Sequence, residues 1–278
     1  MKRYLKLVNF EINRAIKLFA GLLVIIAVVE VAGVIIKSRS YLQETGTLSK
    51  ELSVSPAEYI QRYGVFSFLD IITSMWILAP IALSAAAMLL YCFLIWYRDW
   101  YGKNTFIYRL LMLPTERTNI FFAKATAIAL LVLGLVAFQI ILFPLEQAIM
   151  EYMIPSDLLS QVNYIQILNS FWFLNLIIPD TLSVFLVSYG IGVLGIFILF
   201  TAILFERSYR LKGIFMGIGY IVIASALFLS PLLIMAIPSM EFMLYPMELL
   251  LLEMALFLAV TALSVYVSKF LLNKKVSV

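Results

Sequence analysis

The sequence contains no histidine and only one cysteine, Cys92, among its 278 residues. Histidine-based metal sites and internal disulfides are therefore excluded, and a zinc-dependent intramembrane protease is disfavoured. The chain also lacks the G-x-x-x-x-G-K-[ST] pattern that holds ATP phosphates, so any ATP-driven work requires another polypeptide. We expect a chain that is not itself an enzyme and that holds no metal or cofactor of its own.

Charge is scarce as well. Asp, Glu, Lys and Arg make up 13% of the chain, whereas hydrophobic residues make up 64% and the mean hydropathy is +1.03. Soluble domains contain about one half apolar residues, so this composition indicates an integral membrane protein. Because backbone groups in lipid must be satisfied within their own element, we expect helices. Six runs are long enough to span: Leu18–Ile36, Phe68–Tyr97, Ile120–Phe143, Thr181–Phe205, Ile214–Ser230 and Met247–Phe270. The prediction is an all-α, single transmembrane domain over residues 1–278.

The basic residues predict the orientation of these helices, since Lys and Arg concentrate on the cytoplasmic side. They cluster before span one, between spans two and three, between spans four and five, and after span six. The clusters are Lys2, Arg3, Lys6, Arg14 and Lys17; Arg98, Lys103, Arg109, Arg117 and Lys124; Arg207, Arg210 and Lys212; and Lys269, Lys274 and Lys275. Both termini are therefore predicted to be cytoplasmic. The predicted outer loops collect acid instead: Glu146, Glu151, Asp157, Asp180, Glu241 and Glu248.

Three segments outside the spans carry their own predictions. Residues 1–17 form an amphipathic pattern that predicts an interfacial helix, with one apolar face consisting of Leu5, Val8, Ile12, Ile16 and Phe19. The polar stretch Lys37–Tyr63 predicts an outer loop with a short helix after Pro56. Tyr164–Ile178 is too short and too interrupted by polar residues for a span, and suits an interfacial or re-entrant helix.

An aromatic and basic segment, residues 97–124, separates spans two and three. Within it, Thr105–Leu113 predicts a short surface helix in which apolar side chains surround Arg109 and which Pro114 ends. An ordinary juxtamembrane loop explains this composition equally well, because apolar residues can rest on lipid while basic residues bind anionic headgroups.

The residues of this segment resemble a known family. The string YRDWYGKNTFIYRLLMLPTER at 97–117, followed by FFAK at 121–124, resembles the permease subunits of bacterial ATP-binding-cassette exporters of the second type. The sharpest part of the resemblance is Leu-Pro-x-x-Arg at 113–117 with Ala-Lys at 123–124. By topology the resemblance covers the whole chain.

The resemblance implies a function and partners. Permeases of this family have six spans, an N-terminal interfacial helix, and a cytoplasmic coupling helix between spans two and three that sits in a cleft of a separate ATPase. Here Phe106 and Leu110 would fill the ATPase groove, and Arg109 or Arg117 would pair with acid. Two permease subunits, identical or not, would form the outward path in the bacterial cell membrane, and the ATPase would hold ATP and magnesium. No nucleic acid is implied.

The family also often has re-entrant helices on the outer side between spans five and six. In this chain three prolines divide the apolar run Pro231–Tyr245, which fits such a hairpin; a single helix kinked by proline is the alternative. Members export drugs, lipids, polysaccharides or antimicrobial peptides. The acidic outer loops favour an amphipathic or cationic substrate, such as antimicrobial or cytolytic peptides.

The acidic residues Glu30 and Glu253 lie well inside predicted spans, about two-thirds of the way through span one and about two turns into span six. Ionisable groups within a membrane are costly and usually face protein or water, so both are candidates for a translocation path. A snorkelling or hydrogen-bonded carboxyl near the interface is the alternative. Gly213-x-x-x-Gly217 matches a helix-packing pattern, and packing within one subunit is favoured over packing between two.

Two other function classes remain open. The chain is alternatively a non-transporting membrane sensor or scaffold, or a secondary transporter that uses its intramembrane glutamates. Recovery of a bound ATPase would separate the exporter from both.

Overall fold

The protein is almost entirely helical over the residues that its computed structural model describes, which are 2–51, 65–101, 106–112, 115–160, 172–237 and 245–275. Within these ranges the helices are α1 Lys2–Glu51, α2 Phe68–Ile72, α3 Met75–Trp100, α4 Phe106–Leu111, α5 Thr118–Met153, α6 Trp172–Ile177, α7 Leu182–Tyr209, α8 Leu211–Met235 and α9 Pro246–Lys274. A single 3-10 turn covers Ser156–Leu158. Among the described residues, the β-type pairing is limited to one isolated parallel bridge between Phe66 and Leu159.

Six of these helices are long and apolar enough to cross a membrane. They are α1, α3, α5, α7, α8 and α9, and they correspond in order to the six predicted spans. The predictions of an all-α protein and of six membrane-crossing helices are therefore confirmed, and the chain is a multi-pass membrane protein.

Helix α1 differs from its prediction at both ends. The predicted interfacial helix is not separate from span one over the described residues 2–17, because α1 runs without a break from Lys2 to Glu51. The predicted outer loop from Lys37 is likewise helical as far as Glu51, and residues 52–64 lie outside the described ranges. A 50-residue helix is about 75 Å long, far more than a hydrocarbon core of about 30 Å. Hydropathy therefore identifies only the apolar middle of α1 and not its polar ends.

Helix α5 is also longer than predicted. It continues through Pro144 to Met153, ten residues beyond the predicted end of span three. Glu146 and Glu151, expected in an outer loop, are therefore helical. The helix can continue through Pro144 because proline removes only one backbone N–H donor from the helical hydrogen-bond pattern.

Span two begins with a break. The predicted run from Phe68 is divided into α2 and α3, and Ser67 caps α2 by accepting a hydrogen bond from the Leu69 N–H while Asp70 accepts one from the Ser67 N–H. This reciprocal arrangement satisfies two N–H groups that a helix start leaves without partners. The short helix is thus set by its cap and not by hydropathy.

Two predicted non-spanning segments fall partly outside the described ranges. Residues 161–171 are not described, and the last part of Tyr164–Ile178 forms α6. In the predicted hairpin Pro231–Tyr245, the first five residues simply continue α8, and residues 238–244 are not described. The hairpin stays a prediction.

The chain divides into two compact units. Unit 1 comprises Met1–Asn13, Leu89–Leu130 and Leu186–Val278, and unit 2 comprises Arg14–Met88 and Leu131–Phe185. Unit 1 contains one apolar cluster around α4 and a second between α7, α8 and α9. The core of unit 2 gathers residues from α1, α2, α3, α5 and α6.

Helices α7 and α8 of unit 1 pack closely through glycine. A Cβ atom on Gly213 would lie 2.1 Å from the carbonyl oxygen of Phe205, and one on Gly217 would lie 2.8 Å from that of Ala202. The glycine pattern therefore packs against a helix of the same chain, as the sequence favoured. Small residues permit this approach because their backbones can come close without side-chain clash.

Candidate functional site

The short helix α4 lies where the surface helix was predicted and has two unlike faces. Ile107, Leu110 and Leu111 are buried and form an apolar cluster with Ile120. Phe106 is half-buried and stacks on Phe10 of α1, with ring centroids 5.6 Å apart. Two of the predicted coupling residues, Phe106 and Leu110, thus pack against their own chain.

The opposite face of this segment is exposed. Tyr108 and Met112 are 38% and 74% exposed, and Arg109 is exposed between them in sequence. These three residues, of which Met112 directly follows the helix, form what we call the open face of α4. An aromatic side chain, a guanidinium and a flexible apolar side chain are residue types enriched where proteins dock.

Arg117, the fourth predicted coupling residue, has an internal contact. Its Nη1 donates a 2.6 Å hydrogen bond to the carbonyl oxygen of Leu272, near the end of α9. This oxygen belongs to the last turn of a helix, where carbonyl groups lack intrahelical partners. Arg117 is the residue directly before α5, and its hydrogen bond therefore ties the start of α5 to the end of α9. Leu113 and Pro114 of the family-like string lie outside the described residues.

A buried ionic network that the sequence did not reveal lies beside α4. Lys124, fully buried near the start of α5, donates hydrogen bonds from Nζ to Asp99, to Oε1 of Glu11 at 2.7 Å and to the carbonyl oxygen of Ile95 at 2.8 Å. Asp99 and Glu11 are likewise buried. The ammonium also lies 5.3 Å from the ring centroid of Trp96.

The network extends to a second cation and to the N-terminal helix. Arg98 donates from Nη2 to the other oxygen of Glu11 at 2.9 Å, so two cations meet two carboxylates and the formal charges cancel. Nearby, the hydroxyl groups of Tyr4 and Thr126 are 2.6 Å apart. Buried charges are tolerated when they are paired and hydrogen-bonded in this way. The network joins α1 to the end of α3 and to the start of α5. Helices α3 and α5 are the two that flank α4 in the chain.

The burial pattern of the N-terminal helix explains why this network was missed. Of the predicted apolar face, Val8 is buried but Leu5 and Ile16 are 60% and 46% exposed, and the other buried positions are Glu11 and Ala15. In a membrane protein the surroundings are as apolar as leucine, so hydrophobicity does not decide which face packs. The signal available in the sequence was Glu11, the one acidic residue among the basic and apolar residues of 1–17.

Cation–aromatic contacts surround Arg207 at the end of α7. Its guanidinium lies 4.4, 5.8 and 5.1 Å from the ring centroids of Tyr97, Trp100 and Tyr101. The Tyr97 hydroxyl donates a hydrogen bond to Glu206. These aromatic residues begin the family-like string and lie at the C-terminal end of α3. Their contacts with Arg207 connect this end of α3 to α7 of the same unit.

A second buried polar group lies in unit 2, around the predicted path residue Glu30. Glu30 of α1 is fully buried, and Oε2 accepts a 2.9 Å hydrogen bond from Nε2 of Gln139 in α5. Glu146, two turns further along α5, is also fully buried, and its carboxyl group interacts with that of Glu30. Sequence reasoning found Glu30 but placed Glu146 in a loop.

The other predicted path residue, Glu253, belongs to unit 1. It is half-buried in α9, and neither carboxylate oxygen has a hydrogen-bond partner among the described residues. No described group of three or more His, Cys, Asp or Glu side chains could hold a metal ion. Comparisons with known protein families, curated proteins and solved structures find no match to this chain.

Proposed function

We propose that this chain is the membrane-spanning permease subunit of an ATP-driven exporter, and that a separate ATPase subunit docks on α4. Six membrane-crossing helices and the absence of an ATP-binding motif from the sequence are compatible with this division of labour. The family resemblance of residues 97–124 supplies the identity of the partner.

The observation that carries the proposal is the two-sided character of α4. Its inner face is fixed by Ile107, Leu110 and Leu111, and the open face leaves Tyr108, Arg109 and Met112 accessible. The Lys124 network beside it fixes the ends of the flanking helices. A rigid, exposed patch of this kind transmits motion better than a loose loop, because movement of the patch must move the helices attached to it.

The geometry changes the roles of the predicted coupling residues. Arg109 is the one of the four that lies on the open face, and we assign it the contact with acid on the ATPase. Phe106, Leu110 and Arg117 become positioning residues, since each contacts its own chain. Tyr108 and Met112 take the groove-filling role that the sequence gave to Phe106 and Leu110.

In this proposal the protein resides in the bacterial cell membrane with both termini in the cytoplasm. Two permease subunits, identical or homologous, enclose the path, and the substrate is amphipathic, with antimicrobial or cytolytic peptides as the leading class. ATP and magnesium are bound by the ATPase and not by this chain.

The proposal is tested by purifying the full-length protein from its native membrane in mild detergent and identifying bound proteins by mass spectrometry. We expect an ATPase to be recovered with the wild type and lost with Arg109→Glu. Lys37→Glu is the matched control, because Lys37 is also an exposed basic residue but lies on α1, away from the proposed docking helix in sequence, and it should retain the ATPase. A preparation without any ATPase would reject the exporter function.

A second candidate function is secondary transport, which the buried Glu30–Gln139–Glu146 group favours. Carboxyl groups inside the membrane are a common means of coupling transport to ion movement. Reconstitution of the chain alone in vesicles distinguishes this function, because a secondary transporter would move substrate down an imposed ion gradient without ATP or a partner.

A further inference from the structure

The acidic residues Glu30 and Glu146 make an arrangement that cannot persist with both groups charged and uncompensated. Both side chains are fully buried and belong to helices that are long and apolar enough to cross a membrane. Two adjacent carboxylates repel, and in apolar surroundings neither is stabilised by water. The pair therefore requires an added positive charge.

The hydrogen-bonding pattern points to where that charge binds. Gln139 satisfies Oε2 of Glu30, but Oε1 of Glu30 and both oxygens of Glu146 are buried without a well-formed hydrogen bond to any described residue. Buried polar oxygens are seldom left this way in native proteins. Three unsatisfied oxygens on two facing carboxyl groups form an acceptor site that lacks its donor.

No described cation is placed to serve as that donor. The carboxyl groups of Glu30 and Glu146 interact with each other, and the amide of Gln139 interacts with Glu30. The charged residues nearest to them in sequence on α1 and α5, Lys37, Arg39 and Glu151, are all exposed, and the buried Lys124 of α5 is paired with Glu11 and Asp99 in unit 1. The site's positive charge must therefore come from a bound ligand.

The remaining elements packed into the core of unit 2 are apolar at this level. Their buried contributions are Phe68, Ile71 and Ile72 from α2, Ile77 from α3, and Leu174 and Ile178 from α6 and the residue that follows it. Among the titratable groups near this core, Asp70 is exposed and caps α2, and Tyr41 stacks on Phe66 at 4.5 Å. On α1 and α5, Val34, Phe143 and Met150 each follow an acidic or amide residue by one turn and are buried.

We propose that Glu30, Gln139 and Glu146 form an intramembrane proton-binding site in which the two carboxyl groups share one exchangeable proton. The proton lies between Oε1 of Glu30 and an oxygen of Glu146, while the Gln139 amide holds the second oxygen of Glu30 and stabilises the single negative charge that remains. A proton fits better than a divalent metal, because no described cluster has three acidic, His or Cys ligands. The site does not depend on the proposed exporter function.

Hydrophobic carbodiimide labelling tests this site, because N,N′-dicyclohexylcarbodiimide reacts with protonated carboxyl groups in apolar surroundings. The full-length protein in lipid vesicles would be labelled at neutral pH, digested and analysed by mass spectrometry. We expect a label on Glu30 or Glu146 that declines as the pH is raised. Glu30→Gln/Glu146→Gln should lose this label, whereas Glu151→Gln, which alters an exposed carboxyl on α5, should keep it.

Two results would overturn the proposal. The absence of label from both residues at neutral pH, with the protein folded, would show that the pair holds no proton. Protection of the wild type by sodium ions at constant pH would show that the site binds a metal cation instead. Gln139→Leu provides a further readout, since removal of the amide that stabilises the remaining charge should shift the pH at which labelling declines. None of these outcomes depends on whether an ATPase is recovered.

Discussion

Lys124 donates a 2.7 Å hydrogen bond to Glu11, although the two residues are 113 positions apart in the chain. Glu11 lies in α1 and Lys124 in α5, and both are buried. Together with Asp99 at the end of α3, they place three helices around the segment to which we assign the docking function. The relationship makes the N-terminal residues part of the site's framework.

Replacing Lys124 should strongly destabilise the protein. Lys124→Met leaves Glu11 and Asp99 buried without their shared cation, and breaking a buried ion pair from one side costs about 3–5 kcal/mol. Thermal unfolding in detergent measures the loss. Lys6→Met is the control. It removes an exposed lysine from α1, the helix that contains Glu11, and should have little effect on the unfolding temperature. If Lys124→Met unfolds at the wild-type temperature, the network does not contribute to stability.

The two faces of α4 should respond differently to truncation. Leu110 is 4% exposed, so Leu110→Ala should cost about 2–5 kcal/mol of unfolding free energy through lost burial and a cavity. Met112 is 74% exposed, and Met112→Ala should stay within about 0.5 kcal/mol while weakening ATPase binding. Unfolding and pull-down are measured on the same preparations. Equal losses of stability for the two variants would contradict the assigned orientation of α4.

The close contact between α7 and α8 should be sensitive to one methyl group. Gly213→Ala would place Cβ 2.1 Å from a backbone oxygen, so the helices must separate and the protein should lose about 1–3 kcal/mol of stability. Gly219 has open space at the corresponding position, and Gly219→Ala should be neutral or slightly stabilising. Thermal unfolding distinguishes the two variants. A stable Gly213→Ala protein would mean that α7 and α8 are not in backbone contact there.

The tight connection between α7 and α8 should be improved by glycine. Arg210 has φ 55° and ψ −128°, and it is the one non-glycine residue with positive φ among the described residues. Side chains are strained in this region, so Arg210→Gly should raise stability by about 1 kcal/mol. Arg210→Ala removes the same charge but keeps the Cβ atom, and it should give no gain. If both variants stabilise equally, the effect comes from charge and not from the backbone.

The candidate sites show which residues hydropathy could not locate. Glu30 was found because it interrupts an apolar run, but its partner Glu146 was assigned to a loop because it lies past the predicted end of span three. Asp99 and Lys124 were read as residues of a connector, although both are buried. In each case, the deciding fact was a contact between helices distant in sequence, and such contacts leave no periodic signal.

The sequence by itself determined that this is an all-α membrane protein with six crossing helices, because runs of apolar residues have no stable place in water and their backbones must be satisfied as helices in lipid. The family-like string also marked the segment that contains α4. Only the tertiary structure decided which side of α4 is open, that Glu11 and Asp99 share Lys124, and that Glu30 faces Glu146. Lipid does not distinguish one apolar face from another, so packing and the pairing of buried polar groups decide which faces meet.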